Sequence, residues 1–346
     1  MAAIESTQAR ADHFRSGLLF AIGSALAFGS SGPFAKSLME AGWSPTAAVT
    51  ARLAGGALAM AVFATIARPG WLREARGHVQ TIVLYGLVPI AGAQLFYYNA
   101  VSHLSVAVAL LLEYTAPIIV VGWLWATTRT RPTSLTLGGV VLAVAGIMLV
   151  LGVFGPGGLA AAHINVVGVG WGLAAAVCAA CYFLMSDKAG AEGPDGQTPV
   201  HPITLAAGGL IVGALAVAAL GMTGVMPLVF TANDAVVAGW ATSWIVPVVA
   251  LALIPTAIAY TLGIVGIARL RPRFASLVGL SEVMFAVLAA WVLLGEAVTV
   301  SQGIGGVIVL VGLALARLGD RGELAADTVT WPDAPVVGGL TPAKLD

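Results

Sequence analysis

Charge is what this sequence has least of. Only 9% of its 346 residues are Asp, Glu, Lys or Arg, where a soluble domain carries about 25%. Too few polar side chains remain to cover a water-facing surface, which excludes a soluble enzyme, a nucleic-acid binder and a disordered protein together. The 16 basic and 16 acidic residues cancel, so no polyanionic partner is implied. Cysteine is almost absent. Cys178 and Cys181 cannot build a disulfide framework, and their C-x-x-C spacing has no further Cys or His at metal spacing beside it. They read as small buried side chains, and no metal or cofactor is expected. There is no G-x-x-x-x-G-K-[ST] phosphate loop, so the chain does not itself hydrolyse nucleotide. Neither H-E-x-x-H nor an Asp-rich diphosphate motif occurs, and the five histidines (His13, His78, His103, His163, His201) are scattered at or outside the ends of apolar runs. An integral-membrane enzyme would lack its reactive cluster. The first 15 residues also lack the apolar core and cleavage site of a signal peptide.

What is present is apolar: 59% of residues are hydrophobic and mean hydropathy is +0.96. A helix needs roughly 20 apolar residues to cross a bilayer, so the expected fold is all-α and integral to the membrane. Spans are predicted at 17–38, 46–67, 79–101, 104–126, 134–153, 165–187, 203–222, 237–262, 273–294 and 301–318. Residues 1–16 form a polar amino tail, and 319–346 read as a disordered tail. Of the 16 basic residues, 14 fall in alternate connections if the amino terminus is cytoplasmic; the other two, Lys36 and Arg52, lie in spans. Such a bias predicts ten crossings with both termini inside.

The chain also resembles itself. Shifted by 166 positions, residues 87–149 fall on 253–315 with 14 of 63 pairs identical, among them Pro89/Pro255, Trp125/Trp291, Gly139/Gly305 and Gly146/Gly312. Five helices per repeat is an odd number, so the second half must be inserted upside down. Inverted repeats of this kind build many secondary transporters, with the substrate site near the midplane between the halves.

Particular residues sharpen this pattern: Ala35-Lys36 closing the first span, Arg52 early in the second, Tyr97-Tyr98-Asn99-Ala100-Val101-Ser102-His103-Leu104-Ser105, Glu113-Tyr114-Thr115-Ala116-Pro117, Leu280-Ser281-Glu282 and Trp291-Val292-Leu293-Leu294-Gly295-Glu296. Together they resemble the drug/metabolite transporter superfamily, EamA type. The resemblance implies ten transmembrane helices as two inverted five-helix repeats, 17–153 and 165–318. It also implies a secondary active exporter of a small metabolite, such as an amino acid or drug-like compound, working by alternating access in the inner or plasma membrane. Partners would be a small-molecule substrate, the lipid bilayer and protons as coupling ion, with room for a homodimer and no nucleic acid. One departure stands out: family members often have Glu-Pro in the ninth helix, whereas Glu282 precedes Val283. An anionic-metabolite antiporter, such as a nucleotide-sugar carrier, and a passive channel stay open as alternatives. The former would want more cations at depth than Arg52 and Lys36.

Glu113 and Glu282 each lie near the centre of a span, where a carboxylate costs at least ~2.5 kcal/mol. The repeat puts Glu282 on Ala116, less than one turn from Glu113. Each reads as a proton-coupling or cation-recognising group; the alternative is a protonated, hydrogen-bonded link between helices. Gln94, Tyr97 and Tyr98 share one face of the third span, and Tyr260 falls on Gln94 under the repeat. With Tyr114 and Tyr182 they would give a cavity aromatic surface and hydroxyl groups, although tyrosines near span ends also serve as interface anchors. Arg52 must find a partner, because its guanidinium does not deprotonate; pairing with a carboxylate or helix-end carbonyls competes with substrate contact. Lys36 reads as reaching for headgroups. Gly29-Ser30-Ser31-Gly32-Pro33 predicts a kink or short unwinding of the first span, with close helix packing by small residues as the alternative. The recurring glycines predict a close-packed seam, and Thr299-x-x-Gln302 a capping box with Glu296 as local structure beside it.

Overall fold

The structure, a computed structural model, describes residues 2–129, 131–151, 153–154, 165–190, 200–269 and 278–327. Among them, six helical rods are long and apolar enough to cross a membrane: Arg15–Glu40, Pro45–Ala67, Val79–Val101, Val106–Thr127, Pro202–Met222 and Ile245–Gly263. Four shorter apolar helices, Ser134–Val150, Val166–Cys181, Ser281–Leu294 and Val300–Ala316, pack among them.

Several rods are broken, and proline does the breaking. The first is α1 (Ala2–Gly29) followed by α2 (Ser31–Glu40). Pro33 has no N–H to offer the Gly29 carbonyl, and the helix interrupts there as the sequence predicts. After α3 (Pro45–Ala67) and the short α4 (Trp71–Gly77), the next rod joins α5 (Val79–Tyr85) to α6 (Ala93–Val101) through a π-helical stretch, Gly86–Gly92, containing Pro89. The following rod is α7 (Val106–Glu113) and α8 (Ala116–Thr128), separated at Tyr114-Thr115 because Pro117 cannot bond the Glu113 carbonyl. Three unbroken helices follow: α9 (Ser134–Val150), α10 (Val166–Gly190) and α11 (Pro202–Met222).

A small hairpin pairs β1 (Ala235–Val237) with β2 (Trp240–Thr242). Its turn residues Ala238 and Gly239 have φ of 55° and 78°, the paired positive values of a type I′ turn. The predicted start of the eighth span at 237 is therefore corrected: helix begins at Ile245, where α12 (Ile245–Ala252) runs through a second π stretch, Leu253–Ile258, into α13 (Ala259–Arg269). Pro255 sits in it as Pro89 sits in the first. The orphaned Leu251 carbonyl is satisfied by the Thr256 hydroxyl at 2.9 Å. The chain closes with α14 (Ser281–Leu294) and α15 (Val300–Asp327). The predicted tail boundary is corrected too, because helix continues past Arg317 to Asp327; the remainder of the tail, like 273–277 of the ninth predicted span, lies outside the described residues.

α9 and α15 pack along their whole glycine stripe. A Cβ on Gly146 would meet the Gly305 carbonyl at 2.8 Å, and one on Gly312 would meet the Ala143 amide at 2.5 Å; Gly139 lies against Gly312 in the same way. The seam read from sequence is present, and only glycine permits so close an approach. The capping box is also present, with Gln302 N–H donating to Thr299 Oγ1 at 3.3 Å and Thr299 N–H to Gln302 Oε1 at 3.1 Å.

Contacts group the loops at two ends of the bundle. At the upper end, the α2–α3 turn holds the segment before the hairpin: Ser44 N–H donates to the Val229 carbonyl, and Thr231 and Asn233 both donate to the Ala41 carbonyl. At the lower end, Glu74 of α4 accepts from His201 N–H and the Thr204 hydroxyl at the start of α11. In each case a short connecting segment is tied to a helix end distant in sequence.

Candidate functional site

Arg52, two turns below the upper end of α3, is only 2% exposed. Its Nε donates to Thr256 Oγ1 at 3.2 Å, and its Nη2 to the Pro255 carbonyl at 3.1 Å. Nη1 donates to Ser31 Oγ at 2.6 Å, to Tyr98 Oη at 3.2 Å and to Gln94 Oε1. The guanidinium also lies 5.7 Å from the Tyr98 ring centroid, within cation–π range. One side chain thus joins α2, α3, α6 and the second π stretch. No carboxylate touches it among the described residues: of the two structural partners expected, it takes the carbonyl, and four neutral side chains complete the set. The Ser31 hydroxyl closes the group with a 3.0 Å bond to Tyr98 Oη.

Glu282 opens α14. Its carboxylate accepts from Tyr114 Oη at 2.7 Å. The first rod runs beside it, since a Cβ on Gly29 would come within 2.8 Å of Ala286 N and 3.0 Å of the Glu282 carbonyl. Glu113 lies about 10 Å below the start of α7, at 1.5 Å per residue, where the rod breaks. It shares a helix face with Val106, seven residues earlier, and Val106 packs against Gly32 of α2. Glu113 therefore points into the bundle and away from lipid. No described residue donates to it, and it is partly accessible where residues 106–112 are all buried.

From Glu113 downward the rod changes character. Residues 117–120 are partly accessible all round, in contrast to the buried turns above Glu113. Tyr97 reaches the same region: its hydroxyl and Val106 Cγ1 would both lie 2.5 Å from a Cβ on Gly32. The upper end is shut. Lys36 pairs with Glu296, whose other oxygen accepts from Val106 N–H at 3.3 Å. This corrects two expectations. Lys36 does not reach for headgroups, and Glu296 is not merely local structure: one carboxylate ties α2, the end of α14 and the start of α7.

The other expected site residues are placed as follows. Gln94 is partly accessible, with its oxygen on Arg52. Tyr260, its counterpart under the repeat, is also partly accessible and sits edge-on to Phe28 at 5.1 Å. Tyr97 and Tyr98 are buried core residues, 4% and 0% exposed, rather than interface anchors. Tyr114 bridges Glu282 and the Gly279 carbonyl. Tyr182 lies on α10, and its side chain is outside the described residues. Cys178 is buried, and no cluster of His, Cys, Asp or Glu among the described residues could hold a metal. Ser31 and Thr256, which complete the Arg52 shell, were not named as site residues from sequence, although each had a signal: Ser31 lies in the Gly29–Pro33 interruption and Thr256 directly follows the repeat-paired Pro255.

The chain matches the model of the EamA-like transporter family over residues 15–152 and 166–318. It is 31% identical over 274 residues to the threonine/homoserine exporter RhtA of Escherichia coli strain K12, covering 78% of this chain and 80% of that one. The RhtA of Salmonella typhimurium strain LT2 is 30% identical over 296 residues, covering 84% and 86%. An uncharacterized inner membrane transporter of the same strain, YicL, is 24% identical over 310 residues, covering 89% and 97%. One crystal structure at 21% identity superposes with a TM-score of 0.55, covering 91% of this chain and 99% of its own; it shares the fold.

Proposed function

We propose that this chain, which belongs to the EamA-like transporter family and is a multi-pass protein of the inner membrane, is a secondary carrier that exports a small amino acid by alternating access. The observation that carries the reading is the position of Glu113: a carboxylate facing into the bundle to which no described residue donates, below the tie that Glu296 makes at the upper end and above a partly accessible half-rod. The relatives named as threonine/homoserine exporters support both the amino-acid class and the outward direction.

Ten crossings in two inverted repeats are the architecture we infer. Two separate segments match the family model. Pro89 and Pro255 stand in equivalent π stretches. The contact of Gly139 with Gly312 becomes, under the 166-residue shift, that of Gly305 with Gly146, and both occur. The basic-residue bias supports cytoplasmic termini, so the upper end is external and the accessible half faces the cytoplasm, where an exporter loads. Glu282 is the proposed proton carrier. With Arg52 and Glu113 it makes two acids and one base at depth, and one bound proton brings that set to neutrality.

Counterflow of radiolabelled amino acids, including threonine and homoserine, into proteoliposomes tests this reading, with a pH gradient as the second arm. We expect exchange of at least one small amino acid, and faster flux when the gradient opposes its movement with protons. Glu282→Gln should keep exchange at equal pH and lose the acceleration. Unchanged pH-driven flux in that variant would rule out the proton role; no exchange of any amino acid would rule out the substrate class.

A further inference from the structure

Gln94 and Glu113 present opposite chemistry to one space. An arginine carries donors only, so the atom of Gln94 turned to Arg52 is its oxygen, and its NH2 group is aimed elsewhere. No described residue accepts from that NH2, and Gln94 is partly accessible. Arg52 is thus a positioning residue: five hydrogen bonds to neutral partners fix the guanidinium, and the guanidinium fixes the amide. Glu113 is the complement, an acceptor without a donor, partly accessible on the inward face of its rod. Tyr97, one turn from Gln94, and Val106, two turns from Glu113 on the same face, meet at Gly32, where a Cβ would lie 2.5 Å from both the Tyr97 hydroxyl and Val106 Cγ1, so the two groups lie on faces that converge on the same interior. Glu282 differs, because Tyr114 already occupies it.

A buried cation among neutral partners is costly, and an approaching anion lowers that cost. Arg52 is in this condition, screened from direct contact by the amide it holds. From this we infer that Gln94 and Glu113 form a two-point site for a zwitterion. The Gln94 NH2, with the Arg52 charge behind it, receives the substrate carboxylate, and the Glu113 carboxylate receives its ammonium. The inference rests on amino-acid export and names what that site selects: α-amino acids with both charged groups free. Peptide-bonded or esterified compounds, and cationic drugs without a carboxylate, satisfy only one point.

Competition in proteoliposome counterflow separates the points. Radiolabelled L-threonine is exchanged against unlabelled L-threonine, L-threoninamide (no carboxylate) or N-acetyl-L-threonine (no ammonium). In the unaltered protein each derivative should compete about tenfold or more weakly than threonine, the scale of one lost charge-assisted hydrogen bond. Gln94→Ala should weaken threonine to the level of its amide while leaving the amide unchanged; Glu113→Gln should weaken it to the level of the N-acetyl compound. Gln94→Glu keeps a bond to Arg52, and with it the fold, but places negative charge at the carboxylate point. It should turn preference towards threoninamide. Derivatives that compete as well as threonine, or variants with an unchanged competition profile, would overturn the two-point site while export stands. Absence of amino-acid exchange in the unaltered protein would instead overturn the export reading on which the site rests.

Discussion

Glu74 illustrates how one carboxylate outside the spans ties distant segments together. Burial works to raise its pKa, but bonds from Arg68 Nε at 2.8 Å, His201 N–H at 2.9 Å and the Thr204 hydroxyl at 2.7 Å stabilise the charged form and bring it down to about 2, from 4.5. His201 beside it is also shifted down, first by burial and then by the Arg68 charge, against the pull of Glu74. That favours the neutral ring, whose Nδ1 accepts from Ile203 N–H at 3.2 Å. A carboxylate with a lowered folded pKa stabilises the fold above its unfolded pKa and loses that contribution as pH falls through the folded one. Glu74→Gln should therefore unfold at a lower temperature than the unaltered protein at pH 7, and the gap should narrow between about pH 4.5 and pH 2. Thermal unfolding in detergent across that range checks it; a gap independent of pH would mean that ionisation is not what stabilises this corner. Residues such as these were opaque in the sequence because their partners are far away in it. Lys36 and Glu296 are 260 positions apart, and nothing local marks either as half of a pair. Arg52 was legible as a cation needing a partner, but not that neutral groups from three other segments would supply the shell.

Among the elements, apolar length and proline were legible, and loops were not. Both π stretches fall on prolines that the internal repeat had paired, and the break at Gly29 follows from Pro33. The break at Glu113 has the same cause in Pro117, yet uninterrupted hydropathy concealed it. Residues 237–244 read as helix because they are apolar, whereas the type I′ turn at Ala238-Gly239 folds them into a hairpin held by a bond from Ala238 N–H to the Leu293 carbonyl at 2.7 Å. The upper end is itself an arrangement of elements: α2, α7 and α14 pack on one another, and Glu296 with its two partners ties all three there. Under the repeat, position 130 replaces Glu296 at the opposite end, and it is a threonine. If the chain is the carrier proposed above, an acidic tie that the repeat does not reproduce should favour closure at this end. Lys36→Glu should shift a Val106→Cys reporter, at a position 0% exposed beside Glu296, from protected to reactive towards an impermeant thiol reagent added outside, in a background without Cys178 and Cys181. The charge-swapped pair Lys36→Glu with Glu296→Lys should restore protection. Equal labelling in single and double variants would show that the ion pair does not close this end.

For the molecule as a whole, the distribution of a few charges carries more information than the many apolar residues. Fourteen of the 16 basic residues lie in alternate connections of the predicted ten-span topology, and the proposed orientation, inverted repeat and loading side all rest on that alternation. Had one crossing been missed, every later loop would change side and the bias would dissolve. The two halves are also held by unlike means at their two ends, by Lys36 and Glu296 above and by Glu74 with the start of α11 below. The identity of each side therefore decides which clasp an exporter must release to discharge. Reporter fusions after Arg76, Arg131, Lys188 and Arg273 should score cytoplasmic, and fusions near Gly42, Pro156 and Asp234 external. Gly42 and Asp234 are the informative pair, because bonds from Thr231 and Asn233 to the Ala41 carbonyl put both loops at one end. If those two fusions fell on opposite sides, the ten-crossing arrangement would fail. If all seven scored inverted, the arrangement would survive, but the accessible half beside Glu113 would face outward and the proposed direction of transport would lose its structural support.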